Sequence, residues 1–133
     1  MTKAGPGDLA GRRILVVEDE YFIANDLSRE LDRQGARVVG PVPSLADGLD
    51  LARHEPLDGA ILDVNLAGEM SYPIAELLDE RGVPFLFATG YADRTLPNAY
   101  RCVTRIEKPF NVEAVLVVLA GLVGAKADRG PMS

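Results

Sequence analysis

Short apolar runs that stop abruptly at an acid, a hydroxyl or an amine recur along this chain, with helical segments between them. Ile14-Leu15-Val16-Val17 ends at Glu18, Ala60-Ile61-Leu62 at Asp63, and Phe85-Leu86-Phe87-Ala88 at Thr89. A continuous apolar run of this length is the mark of a strand covered on both faces, as in parallel sheets. Between the runs lie helix patterns. Tyr21 to Arg33 carries Ile23, Leu27 and Leu31 four apart, with Gly35 placed to stop it. Ser44-Leu45-Ala46-Asp47 reads as a capping box opening a helix that ends near Arg53, and Ser71-Tyr72-Pro73 opens another that ends before Gly82. Asn111 is expected to cap a last helix running to about Val123. Two further strands, a polar one over 36–40 and a fifth over 101–107, complete a set of five. Strands that alternate with helices in this way predict an α/β protein with a parallel sheet wound by right-handed crossovers. The fourth crossover, around Pro97, is short and allows at most a small helix.

Length and composition narrow the class. The 133 residues support one domain, and 47% hydrophobic with 26% charged residues is too apolar for disorder. A net charge of −6 argues against a basic face for nucleic acid or an anionic membrane. One cysteine, Cys102, excludes an internal disulfide framework and a Cys-based metal finger, and is expected to be a small core residue. The apolar stretch from Val115 to Ala125 is too short to span a bilayer. The first eleven residues lack an apolar core of the secretory kind, so a cytoplasmic domain is expected over 12–124, with flexible tails over 1–11 and 125–133.

The chemistry is at the strand ends. Glu18, Asp19 and Glu20 follow the first strand, Asp63 ends the third, Thr89 the fourth, and Lys108 the fifth. Open α/β sheets bind ligands outside the carboxyl ends of their strands. Any one of these residues could merely begin a loop or cap a helix. The whole set at successive strand ends predicts acids, a hydroxyl and an ammonium in one cleft. Crowded carboxylates repel and call for a cation, and their oxygens suit a hard divalent ion such as Mg²⁺ or Mn²⁺. Asp as nucleophile, with Lys and Thr as donors, supplies the parts for holding a phosphoryl group.

Leu15-Val16-Val17-Glu18-Asp19-Glu20, Ile61-Leu62-Asp63-Val64-Asn65, Ala88-Thr89-Gly90 and Lys108-Pro109-Phe110 together resemble the receiver domain of two-component response regulators. Phe87-Ala88-Thr89-Gly90-Tyr91 is similar to the motif of a Phe-Ala-Thr-Gly-Tyr-type subgroup of single-domain bacterial regulators. The resemblance implies a flavodoxin-like (βα)5 fold with strand order 2-1-3-4-5. It implies a protein that is not an enzyme with its own substrate but a phosphoprotein switch. Asp63 would accept the phosphoryl group from a sensor histidine kinase or phosphotransfer protein. Asp19 and Asp63 would hold Mg²⁺, with Glu18 acting through water and the Asn65 backbone carbonyl adding an oxygen. Thr89 would bond the phosphoryl group, Lys108 would pair with it, and the Lys108–Pro109 bond would be cis.

Three departures stand out. Glu18 replaces the usual Asp, Leu66-Ala67-Gly68-Glu69 replaces the usual Met-Pro sequence after the acceptor, and Arg105 stands where a switch aromatic is expected. An unpaired arginine is a poor filler for an apolar slot. Tyr91, two residues after Thr89, is therefore expected to act with it as the switch. The outer side of the last helix, Ala114, Val117, Val118 and Gly121, is apolar and predicts a contact with a downstream protein or a second copy. His54, at a helix end, is expected to be solvated. A phosphohydrolase with an Asp nucleophile is the enzyme alternative, although its second acid should follow Asp63 by two residues, where Asn65 stands. A receiver that signals without phosphorylation is the other.

Overall fold

The computed structural model describes residues 9–90, 97–100 and 103–129, and side chains within these except those of Asn98 and residues 127–129. Its elements are β1 (Arg13–Val17), α1 (Tyr21–Arg33), β2 (Arg37–Val42), α2 (Leu45–His54), β3 (Gly59–Asp63), β4 (Asn65–Leu66), β5 (Glu69–Met70), α3 (Tyr72–Glu80), β6 (Phe85–Thr89), a 3-10 turn (Asn98–Tyr100), β7 (Arg105–Glu107) and α4 (Val112–Arg129). Five strands form one parallel sheet in the order β2-β1-β3-β6-β7, which is the expected 2-1-3-4-5 arrangement.

The three central strands are the ones whose sequence is continuously apolar, because helices cover both of their faces. On one face α2 and α3 pack over Leu15, Val17, Leu62 and Phe87; on the other, α1 and α4 pack over Ile14, Val16, Ile61 and Leu86. Each such side chain, fully withdrawn from water, contributes roughly 1.5–3 kcal/mol. α2 lies close because Gly48 has no side chain: a Cβ there would sit 2.6 Å from Ile74 Cδ1. The helix starts as its capping box predicts, with Ser44 Oγ accepting from the Asp47 N–H at 3.2 Å.

Five details differ from the sequence expectation. β2 continues past Gly40 to Val42, through a bulge opposite Leu15–Val17 that takes in Pro41. Pro is tolerated there because β2 is an edge strand with no neighbour waiting for its N–H. The chain is packed from Leu9, which is fully buried, rather than from residue 12. α4 runs to Arg129 instead of ending near Val123. Gly124 does not stop it, since nothing lies where its Cβ would point and the helix simply continues into solvent. Among the described residues the fifth strand covers Arg105–Glu107, without residues 103 and 104.

The last difference is a small antiparallel hairpin, β4–β5, inserted after β3. Its two-residue turn places Ala67 at φ 54° and Gly68 at φ 98°, both in the left-handed region. Asn65 Oδ1 clamps the turn by accepting from the Gly68 N–H at 2.6 Å. Such a turn matches the right-handed twist of its flanking strands.

Candidate functional site

β1 and β3 lie side by side, and the chain leaves them in opposite directions, to β2 on one side and β6 on the other. The crevice at the carboxyl ends of β1 and β3 is thus the switch point of the sheet, where a ligand is expected. Glu18, Asp63 and Thr89 are 2%, 4% and 3% exposed there, and with Ser71 they are the buried polar residues among those described.

Register brings the set together. Asp63 lies opposite Ala88, next to Thr89, and Thr89 lies opposite Glu107, next to Lys108. The Lys108 N–H donates to the Thr89 carbonyl at 2.8 Å, and the Lys108–Pro109 peptide is cis. The Lys108 side chain crosses the mouth of the crevice. Its Nζ donates to Glu18 Oε2 at 3.0 Å, Asp63 Oδ2 at 3.1 Å and Glu20 Oε1 at 3.2 Å. Asp63 Oδ1 also accepts from the Asn65 N–H at 3.3 Å, and Glu18 Oε2 from the Glu20 N–H at 3.0 Å.

Three carboxylates share one ammonium, with Asp19 close by, and the electrostatics follow. Burial above all, then the hydrogen bonds of Glu18 and Asp19 and the charge of Glu18, pushes the Asp63 carboxyl up to about 8, against the pull of Lys108. Burial works against the Lys108 ammonium, yet the charge of Asp63 and its bonds to Glu18 and Asp63 outweigh that and hold its pKa above the usual lysine range. Burial and the neighbouring acids thus favour the protonated form of Asp63, and a cation in the crevice would oppose them.

The donor set fits a hard cation. Glu18, Asp19 and Asp63 each offer a carboxylate oxygen, all within 4.8 Å of one another. Glu18 Oε1 is buried with no hydrogen-bond partner, a cost that a cation ligand would remove. Asn65 is placed beside Asp63 by its own N–H, at the start of β4.

Of the remaining expectations, Tyr91 and Cys102 lie outside the described residues. Arg105 is exposed on β7, so no apolar slot is filled by it. An aromatic cluster lies instead beneath Thr89. Phe87, two residues earlier on β6, meets Tyr72 and Tyr100 edge-on at 6.1 and 5.7 Å, and these two rings stack at 5.1 Å. Tyr100 is 3 residues past Pro97 and carries no periodic pattern that would have marked it. His54 is exposed, with Nδ1 3.1 Å from the Asp50 carbonyl. Val117 and Val118 are exposed on α4 as expected. Glu20 is the residue that sequence reasoning placed at the strand end without assigning it a partner.

No protein-family model matches the chain. Among solved structures, SdrG from Sphingomonas melonis Fr1 is 40% identical with a TM-score of 0.75, covering 87% of this chain and 98% of that one. The BeF3-activated conformation of SdrG from Pseudomonas melonis Fr1 is 39% identical with a TM-score of 0.70, covering 86% and 98%. A response regulator protein from Burkholderia pseudomallei, crystallised with a phosphorylated aspartic acid, a calcium ion and citrate, is 26% identical with a TM-score of 0.66, covering 90% and 75%. The regulator PhyR of Methylorubrum extorquens is 32% identical over 110 residues, 77% of this chain and 41% of that protein. The chain spans about half the length of the curated relatives it matches. With this sheet order, this cluster of strand-end residues and this likeness to SdrG, the chain belongs to the receiver-domain family of response regulators.

Proposed function

We propose that this protein is a phosphoryl-accepting switch that takes its phosphoryl group on Asp63 from the phosphohistidine of a sensor histidine kinase or phosphotransfer protein. The observation that carries the reading is the buried Asp63 carboxylate held 3.1 Å from Lys108 Nζ, with Glu18 and Asp19 converging on it. The phosphorylated aspartic acid of the Burkholderia pseudomallei protein and the BeF3-activated conformation of SdrG support it.

The acceptor must be ionised to act. Asp63 Oδ attacks phosphorus, the phosphorus–nitrogen bond of the donor breaks, the imidazole nitrogen keeps the electron pair, and an acyl phosphate forms on Asp63. Mg²⁺, held by Glu18, Asp19 and Asp63 with the Asn65 carbonyl, would lower the Asp63 pKa and offset charge on the phosphoryl oxygens. Lys108, with three N–H donors at the mouth of the crevice, pairs with the arriving phosphoryl group. The Thr89 hydroxyl, at the adjacent strand end, donates to it and so couples the acceptor to β6. Through Phe87 that strand touches Tyr72 and Tyr100, which gives the coupling a packed route to α3 and to the 3-10 turn; Tyr91, next but one after Thr89, remains the proposed switch partner.

The output proposed for this receiver domain is contact with a downstream protein, or service as phosphorelay intermediate or sink; its likeness to SdrG over nearly the whole of that chain supports the receiver reading. We place it in the cytoplasm, where histidine kinases deliver phosphoryl groups. Among the described residues, no helix is long and apolar enough to cross a membrane. The exposed Val117 and Val118 of α4 are the proposed surface for that partner or for a second copy.

A phosphate-affinity gel with acetyl phosphate, with Mg²⁺ or with chelator, tests the reading. A shifted band that needs Mg²⁺ is expected. No band in either condition would indicate a receiver that signals without phosphorylation, and continuous phosphate release without a band would indicate a phosphohydrolase.

A further inference from the structure

Lys108 has three N–H bonds to give, and all three are already taken. Their acceptors differ in what it costs to release them. Asp63 is the acceptor of the phosphoryl group itself. Glu18 is 2% exposed, its Oε1 has no hydrogen-bond partner, and its Oε2 is fixed by the Glu20 N–H as well as by Lys108. Taking the ammonium away from Glu18 would strand a buried charge. The Glu20 side chain is 57% exposed and meets Lys108 with one oxygen only, so water replaces the lysine at little cost.

We propose that Glu20 is a positioning residue that holds the third donor of Lys108 in the resting state and yields it to the phosphoryl group. This inference rests on Asp63 as phosphoryl acceptor. In the resting site Glu20 keeps the lysine side chain stretched across the crevice, with its ammonium aimed at Asp63. When a phosphoryl group arrives, its oxygens compete with an exposed carboxylate instead of a buried one, and Glu20 swings into water. The consequence is a site whose hold on Lys108 is loose at one point, so that phosphoryl occupancy is set partly by the reach of one rim side chain.

Reach and charge separate in two variants. Glu20→Gln removes the charge, whereas Glu20→Asp keeps it but is one methylene too short to span to Nζ from the same backbone. Beryllofluoride, a tetrahedral phosphoryl mimic on a carboxylate, can be titrated into the parent and both variants with excess Mg²⁺, following the backbone amides around Asp63 by NMR. Both variants should bind beryllofluoride about two- to fivefold more tightly than the parent, the span open to an exposed ion pair. Lys108→Ala should abolish the difference between Glu20 and its variants. Equal affinity of parent and both variants would overturn the proposal while leaving Asp63 as acceptor. Tighter binding by Glu20→Gln alone, with Glu20→Asp like the parent, would also overturn it, since the general charge of the rim would then be sufficient. Absence of beryllofluoride binding by the parent would remove this inference together with the acceptor reading beneath it.

Discussion

Replacing Asp63 by Asn removes a carboxyl that folding withdraws from water, and in the absence of divalent ions the variant should be the more stable protein. The folded-state pKa of Asp63 is pushed up to about 8 from an ordinary 3.8, mainly by burial. An acid whose pKa is raised by folding destabilises the fold progressively as pH rises from its unfolded value to its folded one, because the unfolded chain then binds fewer protons. At pH 7 that span is about three units, and at about 1.4 kcal/mol each the cost approaches 4 kcal/mol. Asn has almost the shape of the protonated acid and carries no charge to bury; its one oxygen can accept from either Lys108 or the Asn65 N–H, which in Asp63 use different oxygens, so it avoids part of this cost. Other shifted groups fall outside the window. Glu30, lowered first by its hydrogen bond from Arg33, gives its contribution above its unfolded value near 4.5, and that contribution is complete by pH 5.5. Lys108, raised, keeps its contribution throughout and loses it only above about pH 10. The chain has no tryptophan, so urea unfolding followed by far-ultraviolet circular dichroism, with chelator, is the assay. From pH 5.5 to 8 the parent should lose about 3 kcal/mol and Asp63→Asn should stay level. A parent whose stability is flat or rises over that interval would refute the reasoning, as would an Asn variant no more stable than the parent at pH 8.

Mg²⁺ should raise the stability of the parent by about 2.7 kcal/mol at a hundredfold excess over its dissociation constant. Asp19→Asn should lose most of this gain, and an unchanged thermal shift would place the ion elsewhere. Gly48→Ala should cost about 1–3 kcal/mol, because the new methyl would meet Ile74 at 2.6 Å; denaturation midpoints read it directly. Ala67→Asn should stabilise by about 0.5–1 kcal/mol, since Asn tolerates the left-handed backbone at φ 54° better than Ala; a lower midpoint would argue against that turn.

The parts of this protein that were legible in its sequence are those where burial leaves no choice of residue. The runs 14–17 in β1, 59–62 in β3 and 85–88 in β6 are apolar because both faces of the sheet are covered, and so the polar residue that follows each run, Glu18, Asp63 or Thr89, stood out as an interruption. β2 and β7 lie at the edges, where polar residues are tolerated, and there the expected limits shifted. The β4–β5 hairpin escaped because two-residue strands have no period to detect. Only the Ala67-Gly68 pair marked it, and Ala is an unusual residue for a turn that needs positive φ at both positions. The sequence pattern predicts a last helix ending near Val123, but a glycine such as Gly124 ends a helix only when the chain turns there, and α4 continues to Arg129. In the site, strand-end positions were legible and side-chain bonds were not. Glu20 meets Lys108 from 88 residues away in the chain, through a contact that exists only once β1 and β7 share a sheet.

The central claim is that the phosphoryl group is carried by the carboxyl of Asp63. An acyl phosphate is reduced by borohydride to the corresponding alcohol, so treatment of acetyl phosphate-labelled protein should convert the modified aspartate to homoserine, which peptide mass spectrometry can locate. The account predicts homoserine at position 63 alone, formed only when Mg²⁺ was present during labelling and absent from Asp63→Asn. Homoserine at Asp19, phosphate retained on His54 or on a hydroxyl, or undiminished labelling of the Asn variant would contradict it.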